Sequence, residues 1–121
     1  MQQRIEQADW NDISRQLDDH GYALVNNILS GTECDVLIQQ YDNNQLYRKT
    51  INMERYRFGL GEYKYFSYPL PDLIQQLRQN LYPHLAPIAN NWMKALNIDK
   101  QFPLSHTELI EQCHAQNQNR P

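Results

Sequence analysis

The chain has 121 residues, 40% of them hydrophobic and 21% charged, with a formal net charge of -3. That is enough apolar material for a modest core in one domain, or in one part of a larger one, and too much for a disordered polymer. The negative balance excludes general attraction to nucleic acid or anionic membrane, and no apolar run approaches the length of a membrane span.

The opening stretch, MQQRIEQADW, has no apolar core of the kind a secretory signal needs, so a soluble, cytoplasmic protein is expected. Cys34 and Cys113 stand far apart without CxxC spacing and are expected to be reduced thiols. In chain order, Asp9 can cap a first helix running to about Asp19, with Ile13 and Leu17 on one side and Gly21 ending it in a left-handed turn. Tyr22-Ala23-Leu24-Val25 is a short apolar run of strand character. Ser30-Gly31-Thr32-Glu33 has capping-box spacing and opens a second helix in which Val36, Leu37 and Tyr41 recur at helical spacing.

From Tyr47 to Tyr68 aromatic and basic residues interleave. Ile51-Asn52-Met53 and Tyr63-Lys64-Tyr65-Phe66 read as two extended segments around a turn at Gly59 and Gly61, the second alternating like a strand with one buried face. Pro69 and Pro71 begin a helical half, Pro71 suiting a first turn. Leu73, Leu77 and Leu81 repeat every fourth residue, Pro83 and Pro87 divide the next stretch, and Ile88 to Leu96 continues as helix around Trp92. Ser105-His106-Thr107-Glu108 is a second capping box, leading a last helix with Leu109, Ile110 and Cys113; Gln116 to Asn119 reads as a loop or fraying end. The fold class is α+β, with more helix than strand.

His106, Glu108 and His114 imitate a two-His, one-carboxylate iron triad. Residues two apart on a helix point in different directions, so His106 and Glu108 could not close on one ion, and Glu108 already serves the capping box. His20 suits the negative end of its helix, and His84, after Tyr82-Pro83, has a packing or hydrogen-bonding role. No Ser or Cys has a neighbour suggesting a nucleophile with its base. Gly59-Leu60-Gly61 lacks the third glycine, the lysine and the subsequent helix of a phosphate loop.

One segment stands out in charge. Residues 47–68 hold Arg48, Lys49, Arg55, Arg57 and Lys64 against Glu54 and Glu62, a net +3 that leaves -6 for the remainder. Seven aromatics interleave with them: Tyr47, Tyr56, Phe58, Tyr63, Tyr65, Phe66 and Tyr68. Cations can hold phosphates and aromatic rings can stack on exposed bases. The plainer alternative is a hairpin with a packed aromatic face and a solvated basic face.

Gly59-Leu60-Gly61-Glu62-Tyr63-Lys64-Tyr65-Phe66-Ser67-Tyr68-Pro69-Leu70-Pro71 resembles the GxGEYKYFxYPLP signature of a bacterial family of iron(II)- and 2-oxoglutarate-dependent oxygenases. The likeness continues through Leu77-Arg78, Leu81 to Asn90, Trp92, Phe102-Pro103, His106, Cys113-His114-Ala115 and Arg120-Pro121. Upstream it takes in Trp10, Leu17, Gly21 to Leu24 and Cys34, so it covers nearly the whole chain, residues 1–121, as one N-terminal segment. The Gln116 to Asn119 stretch departs from the pattern only in having less glycine.

The resemblance implies the helical support and first strands of a double-stranded β-helix, or jelly-roll, with most of the barrel core missing. It further implies that Fe(II) and 2-oxoglutarate serve the full-length family, whose iron ligands lie beyond the matching region. No catalytic residue, metal ligand or cofactor is therefore assigned to this chain, and no oxygenase chemistry is expected of it alone. The family's reaction would be hydroxylation or oxidative demethylation, with nucleic acid as the implied substrate. Arg55, Tyr63, Lys64 and Tyr65 are the expected substrate-binding wall. Two alternatives stand beside this reading. One is a small α+β module binding nucleic acid or a partner through residues 47–68. The other is a structural remnant that forms homo-oligomers through an exposed sheet edge.

Overall fold

The computed structural model describes residues 1–57 and 59–121; Phe58, counted above among the interleaved aromatics, lies outside the described residues. The element order is helix α1 (Gln2–Glu6), α2 (Trp10–His20), α3 (Gly31–Gln40), strand β1 (Tyr47–Asn52), β2 (Glu62–Phe66), α4 (Asp72–Ala95) and α5 (His106–Ala115), with short 3-10 turns at Asn44–Leu46 and Met53–Tyr56. The architecture is α+β: five helices and, among the described residues, one two-stranded antiparallel sheet. The chain divides into two units, residues 1–28 with 76–121, and residues 29–75.

The first unit is helical and contains every buried apolar side chain among the described residues: Ile5, Ile13, Ala86 and Ile88. α2 starts and stops as its sequence requires. Asp9 accepts a bond from Asp12 N–H at 3.1 Å, and Gly21 closes the helix at φ 76°, a left-handed conformation that glycine adopts without Cβ strain. Trp10 binds α2 to its surroundings twice: its Nε1 donates to the Ile5 carbonyl at 2.8 Å, and its ring stacks on His84 of α4 at 4.4 Å with an interplanar angle of 2°. The Trp92 Nε1 of α4 donates to Asp18 Oδ1 at 2.6 Å. The segment before α5 is fixed to α4 by two bonds between Asn90 and the Phe102 backbone and by the Tyr82 hydroxyl donating to the Pro103 carbonyl at 2.6 Å.

Three sequence expectations change here. The N-terminal residues, which show only the lack of a signal core in sequence, form α1, with Ile5 fully enclosed. Tyr22 to Val25 has no regular secondary structure and is no strand, because no neighbouring strand among the described residues supplies a ladder; Leu24 is 77% exposed and its N–H goes to the Gln16 side chain at 3.4 Å. Pro83 and Pro87 do not divide the helix: α4 runs unbroken through both. Each proline removes one backbone bond at a cost of about 3 kcal/mol or more in a helix interior. Both prolines are exposed, as is Gln79, so the freed carbonyls of Gln79 and Pro83 belong to a solvated face, while Ala86 and Ile88 between and beyond them are buried. Burial of these two side chains and the many remaining bonds outweigh the two losses.

In the second unit, α3 opens on a complete capping box. Glu33 N–H donates to Ser30 Oγ at 3.1 Å and Ser30 N–H to Glu33 Oε1 at 2.8 Å. At α5 the Ser105 half of the expected box is formed, its Oγ accepting from Glu108 N–H at 3.2 Å. β1 is longer than the sequence suggests, starting at Tyr47, and Met53 already belongs to the adjoining 3-10 turn. The unit ends with the first turn of α4, which begins one residue after Pro71.

Candidate functional site

The basic aromatic segment folds into a hairpin, and its register decides which side chains share a face. Lys49 pairs with Tyr65, Thr50 with Lys64, Ile51 with Tyr63 and Asn52 with Glu62, with an irregularity between Tyr47 and Lys49. Cross-strand partners and alternate residues share a face. One face therefore carries Lys49, Ile51, Tyr63 and Tyr65; the other carries Thr50, Asn52, Glu62 and Lys64. The connection is shaped by Arg57 at φ 60° and by Gly61 at φ 142°, whose carbonyl accepts from Met53 N–H at 2.9 Å. An L side chain would be strained at the Gly61 conformation, which is why the turn keeps a glycine there.

On the first face, Tyr63 and Tyr65 are 45% and 43% exposed. Their rings meet edge to face, 5.7 Å between centroids at 78°. Arg48, displaced by the strand irregularity, lays its guanidinium 4.8 Å from the Tyr65 ring centroid. Arg48 and Lys49 are both exposed.

The opposite face is occupied internally. Lys64 is half-buried; its Nζ donates to the Tyr41 carbonyl at 2.6 Å and lies 4.1 Å from the Tyr41 ring centroid and 5.2 Å from that of Tyr47. Tyr47 stacks on Phe66 at 4.9 Å, and the Tyr41 hydroxyl donates to Glu62 Oε1 at 3.0 Å. Partial burial, reinforced by the Glu62 carboxylate, raises the Tyr41 hydroxyl above the usual phenol value. The aromatic cage and the carbonyl together hold the Lys64 cation by cation–π attraction and a charge-assisted bond.

Of the four residues expected to form a substrate wall, the structure brings Tyr63 and Tyr65 together, turns Lys64 to the other face, and puts Arg55 on the exposed 3-10 turn between the strands. The sequence counts Arg48 among the cations of this segment and Tyr41 among the helical residues, but places neither in the substrate wall. Arg48 reaches the Tyr65 ring only because the strand shifts register beside it, and no residue pattern announces that shift.

Among the described residues, no three His, Cys, Asp or Glu side chains are grouped to hold a metal ion. His106 is the first residue of α5, Glu108 lies two residues on, and His114 about two turns later, so the three diverge around the helix. His106 instead packs edge-on to Tyr82 at 5.7 Å, and partial burial, with Arg78 nearby, lowers its pKa from the usual value. Tyr82 is raised by burial, then by the charges of Glu108 and Cys113. Both cysteines are free and half-buried. No helix among the described residues is long and apolar enough to cross a membrane.

Two uncharacterized proteins of Mycobacterium tuberculosis, from strains CDC 1551 / Oshkosh and ATCC 25618 / H37Rv, are each 42% identical to this chain over 55 residues, which is 46% of this chain and 24% of theirs. The chain thus matches about a quarter of the length of these curated relatives. No solved structure matches. Residues 61–121, from the glycine before β2 through α4 and α5, match the family described as an oxygenase catalysing oxidative methylation of damaged DNA. With half of the chain inside that match, including Tyr63 and Tyr65 of the outward hairpin face, this protein belongs to that oxygenase family.

Proposed function

We propose that this chain is the support and substrate-facing part of an iron(II)- and 2-oxoglutarate-dependent oxygenase that modifies nucleic acid. The observation that carries the reading is the family match over residues 61–121, whose first strand presents Tyr63 and Tyr65 on an exposed face beside Arg48 and Lys49. The helices serve as scaffold, and the β1–β2 hairpin leads into a jelly-roll whose other strands are not in this chain. The donors present do not fit an iron site, since none of the described His, Cys, Asp and Glu side chains assemble in threes. In this reading, iron and 2-oxoglutarate chemistry is the work of the complete enzyme, and these residues serve its scaffold and substrate wall. What this segment can do by itself is bind: cations meet phosphates and rings meet bases.

The test has two arms. Titration calorimetry with Fe(II), and succinate release in the presence of 2-oxoglutarate, are expected to read zero for this chain. Stoichiometric iron with turnover would overturn the assignment of the metal site elsewhere. Nucleic-acid binding at low salt is expected, weakening linearly on a log–log plot as salt rises; a folded chain that binds no nucleic acid would remove the substrate-facing role.

A second reading is favoured by the open edges of the two-stranded sheet and by exposed apolar residues such as Ile38 and Leu60. Unpaired strands template self-association. Light scattering would then show a dimer or larger species; a clean monomer across concentrations removes this reading.

A further inference from the structure

We infer that the outward face of the β1–β2 hairpin is a one-base cradle that selects unpaired nucleic acid over duplex. This rests on the nucleic-acid reading above and adds which form is taken and by which atoms. In a duplex the flat faces of the bases are covered by their neighbours, and only edges and backbone are offered. An aromatic ring can reach a base face only when the base is unpaired or turned out of the stack. Tyr63 and Tyr65 have the exposure for this, 45% and 43%, and stand on the same side of the sheet.

Their mutual angle sets how much they hold. At 78° and 5.7 Å the two rings make a corner. A base lying flat on one ring abuts the edge of the other, so the pair accommodates a single base and not a continuous stack. The edge-to-face contact between the tyrosines also fixes the corner before a ligand arrives.

The backbone of the nucleic-acid strand is met on the same side. Lys49 is the register partner of Tyr65, and the Arg48 guanidinium lies 4.8 Å from the Tyr65 centroid. A guanidinium carries five N–H donors, which phosphate oxygens can accept from. Lys64 has no part in the cradle, because its ammonium is bonded to the Tyr41 carbonyl on the opposite face. Arg48 and Lys49, both exposed, give this side the positive charge an anionic strand requires, in a chain whose net charge is -3.

The test is fluorescence anisotropy with the full chain at low salt, using a labelled mixed-sequence DNA strand, the same strand annealed to its complement, and the RNA strand of the same sequence. The unpaired strands, of either sugar, are expected to bind roughly tenfold or more tightly than the duplex. Tyr65→Leu is expected to weaken single-strand binding roughly tenfold and to leave duplex binding unchanged, whereas Tyr65→Phe, which keeps the ring, retains single-strand binding. Arg48→Gln is expected to weaken both forms alike. Circular dichroism confirms that each variant is folded. Equal or tighter binding to duplex, or equal weakening of both forms by Tyr65→Leu, overturns the cradle while leaving nucleic-acid binding intact. Absence of binding to all three polymers overturns the cradle and the broader reading together.

Discussion

In residues 1–28 with 76–121, order comes from apolar side chains withdrawn from water: Ile5, Ile13, Ala86 and Ile88, with the Trp10–His84 stack. In residues 29–75, no described side chain is fully buried, and order comes from polar and aromatic contacts: the Ser30–Glu33 capping box, the hairpin ladder, and the Lys64 ammonium caged by Tyr41 and Tyr47. The difference teaches where function can reside. Hydrophobic burial is non-directional and tolerates little change, so the helical unit suits a scaffold. Directional contacts leave rings and cations at the surface, so the hairpin unit suits recognition.

The two units also carry different spectroscopic probes. Both tryptophans, Trp10 and Trp92, belong to the helical unit, while six of the eight tyrosines belong to the hairpin unit. Tryptophan fluorescence and near-ultraviolet tyrosine signals can therefore track the two separately.

The largest expected effect is on the buried apolar side chains of the helical unit. Ile13→Ala or Ile88→Ala removes apolar contacts where the side chain is 5% or 8% exposed. A loss of about 2–5 kcal/mol is expected in urea unfolding monitored by tryptophan fluorescence. A loss below about 0.5 kcal/mol would mean that the helical unit is not held by this core, and the comparison would break. Next is Lys64→Ala. It leaves the Tyr41 carbonyl without its 2.6 Å bond and empties the cage, so the tyrosine signal should unfold earlier by about 1–3 kcal/mol, with the tryptophan transition little changed. Arg48→Ala, by contrast, should stay within about 0.5 kcal/mol, since its ring contact is exposed. If Lys64→Ala leaves the tyrosine transition in place, the cage is not what orders the hairpin.

Smaller still is Ser30→Ala. It deletes the acceptor for Glu33 N–H and should cost about 1 kcal/mol, read as faster amide exchange in the first turn of α3. The smallest effect concerns pH. The folded-state pKa of His106 lies below its unfolded value, so the neutral form is the one the fold favours. Its contribution is fully present above the unfolded value and is lost as pH falls through the folded one. Stability should therefore decline slightly on acidification from neutral pH, and His106→Gln should flatten that part of the profile. An unchanged slope would show that the packing against Tyr82 does not discriminate the two protonation states.

Much of the fold is legible locally. Asp9, Ser30 and Ser105 stand where their caps form, Gly21 ends α2 in the expected conformation, and the alternation of Tyr63 to Phe66 marks β2. These features depend on a few adjacent residues, so sequence suffices. Where longer-range contacts compete with local preference, sequence reading fails. Pro83 and Pro87 argue for a break, but the burial of Ala86 and Ile88 carries α4 through. The apolar run Tyr22 to Val25 argues for a strand, but a strand needs a neighbour and finds none among the described residues.

The candidate site divides along the same line. The sequence by itself determined that residues 47–68 concentrate cations and rings, that a hairpin forms there, and that the GEYKYF stretch carries the family likeness. Only the tertiary structure decided which of these residues face outward. Register is set by pairing between strands, and a shift beside Arg48 brings that cation over Tyr65 while Lys64 turns inward to Tyr41. A one-residue change in register exchanges the faces of a strand, so composition alone cannot separate a cation that meets a ligand from one that holds the sheet to its helix.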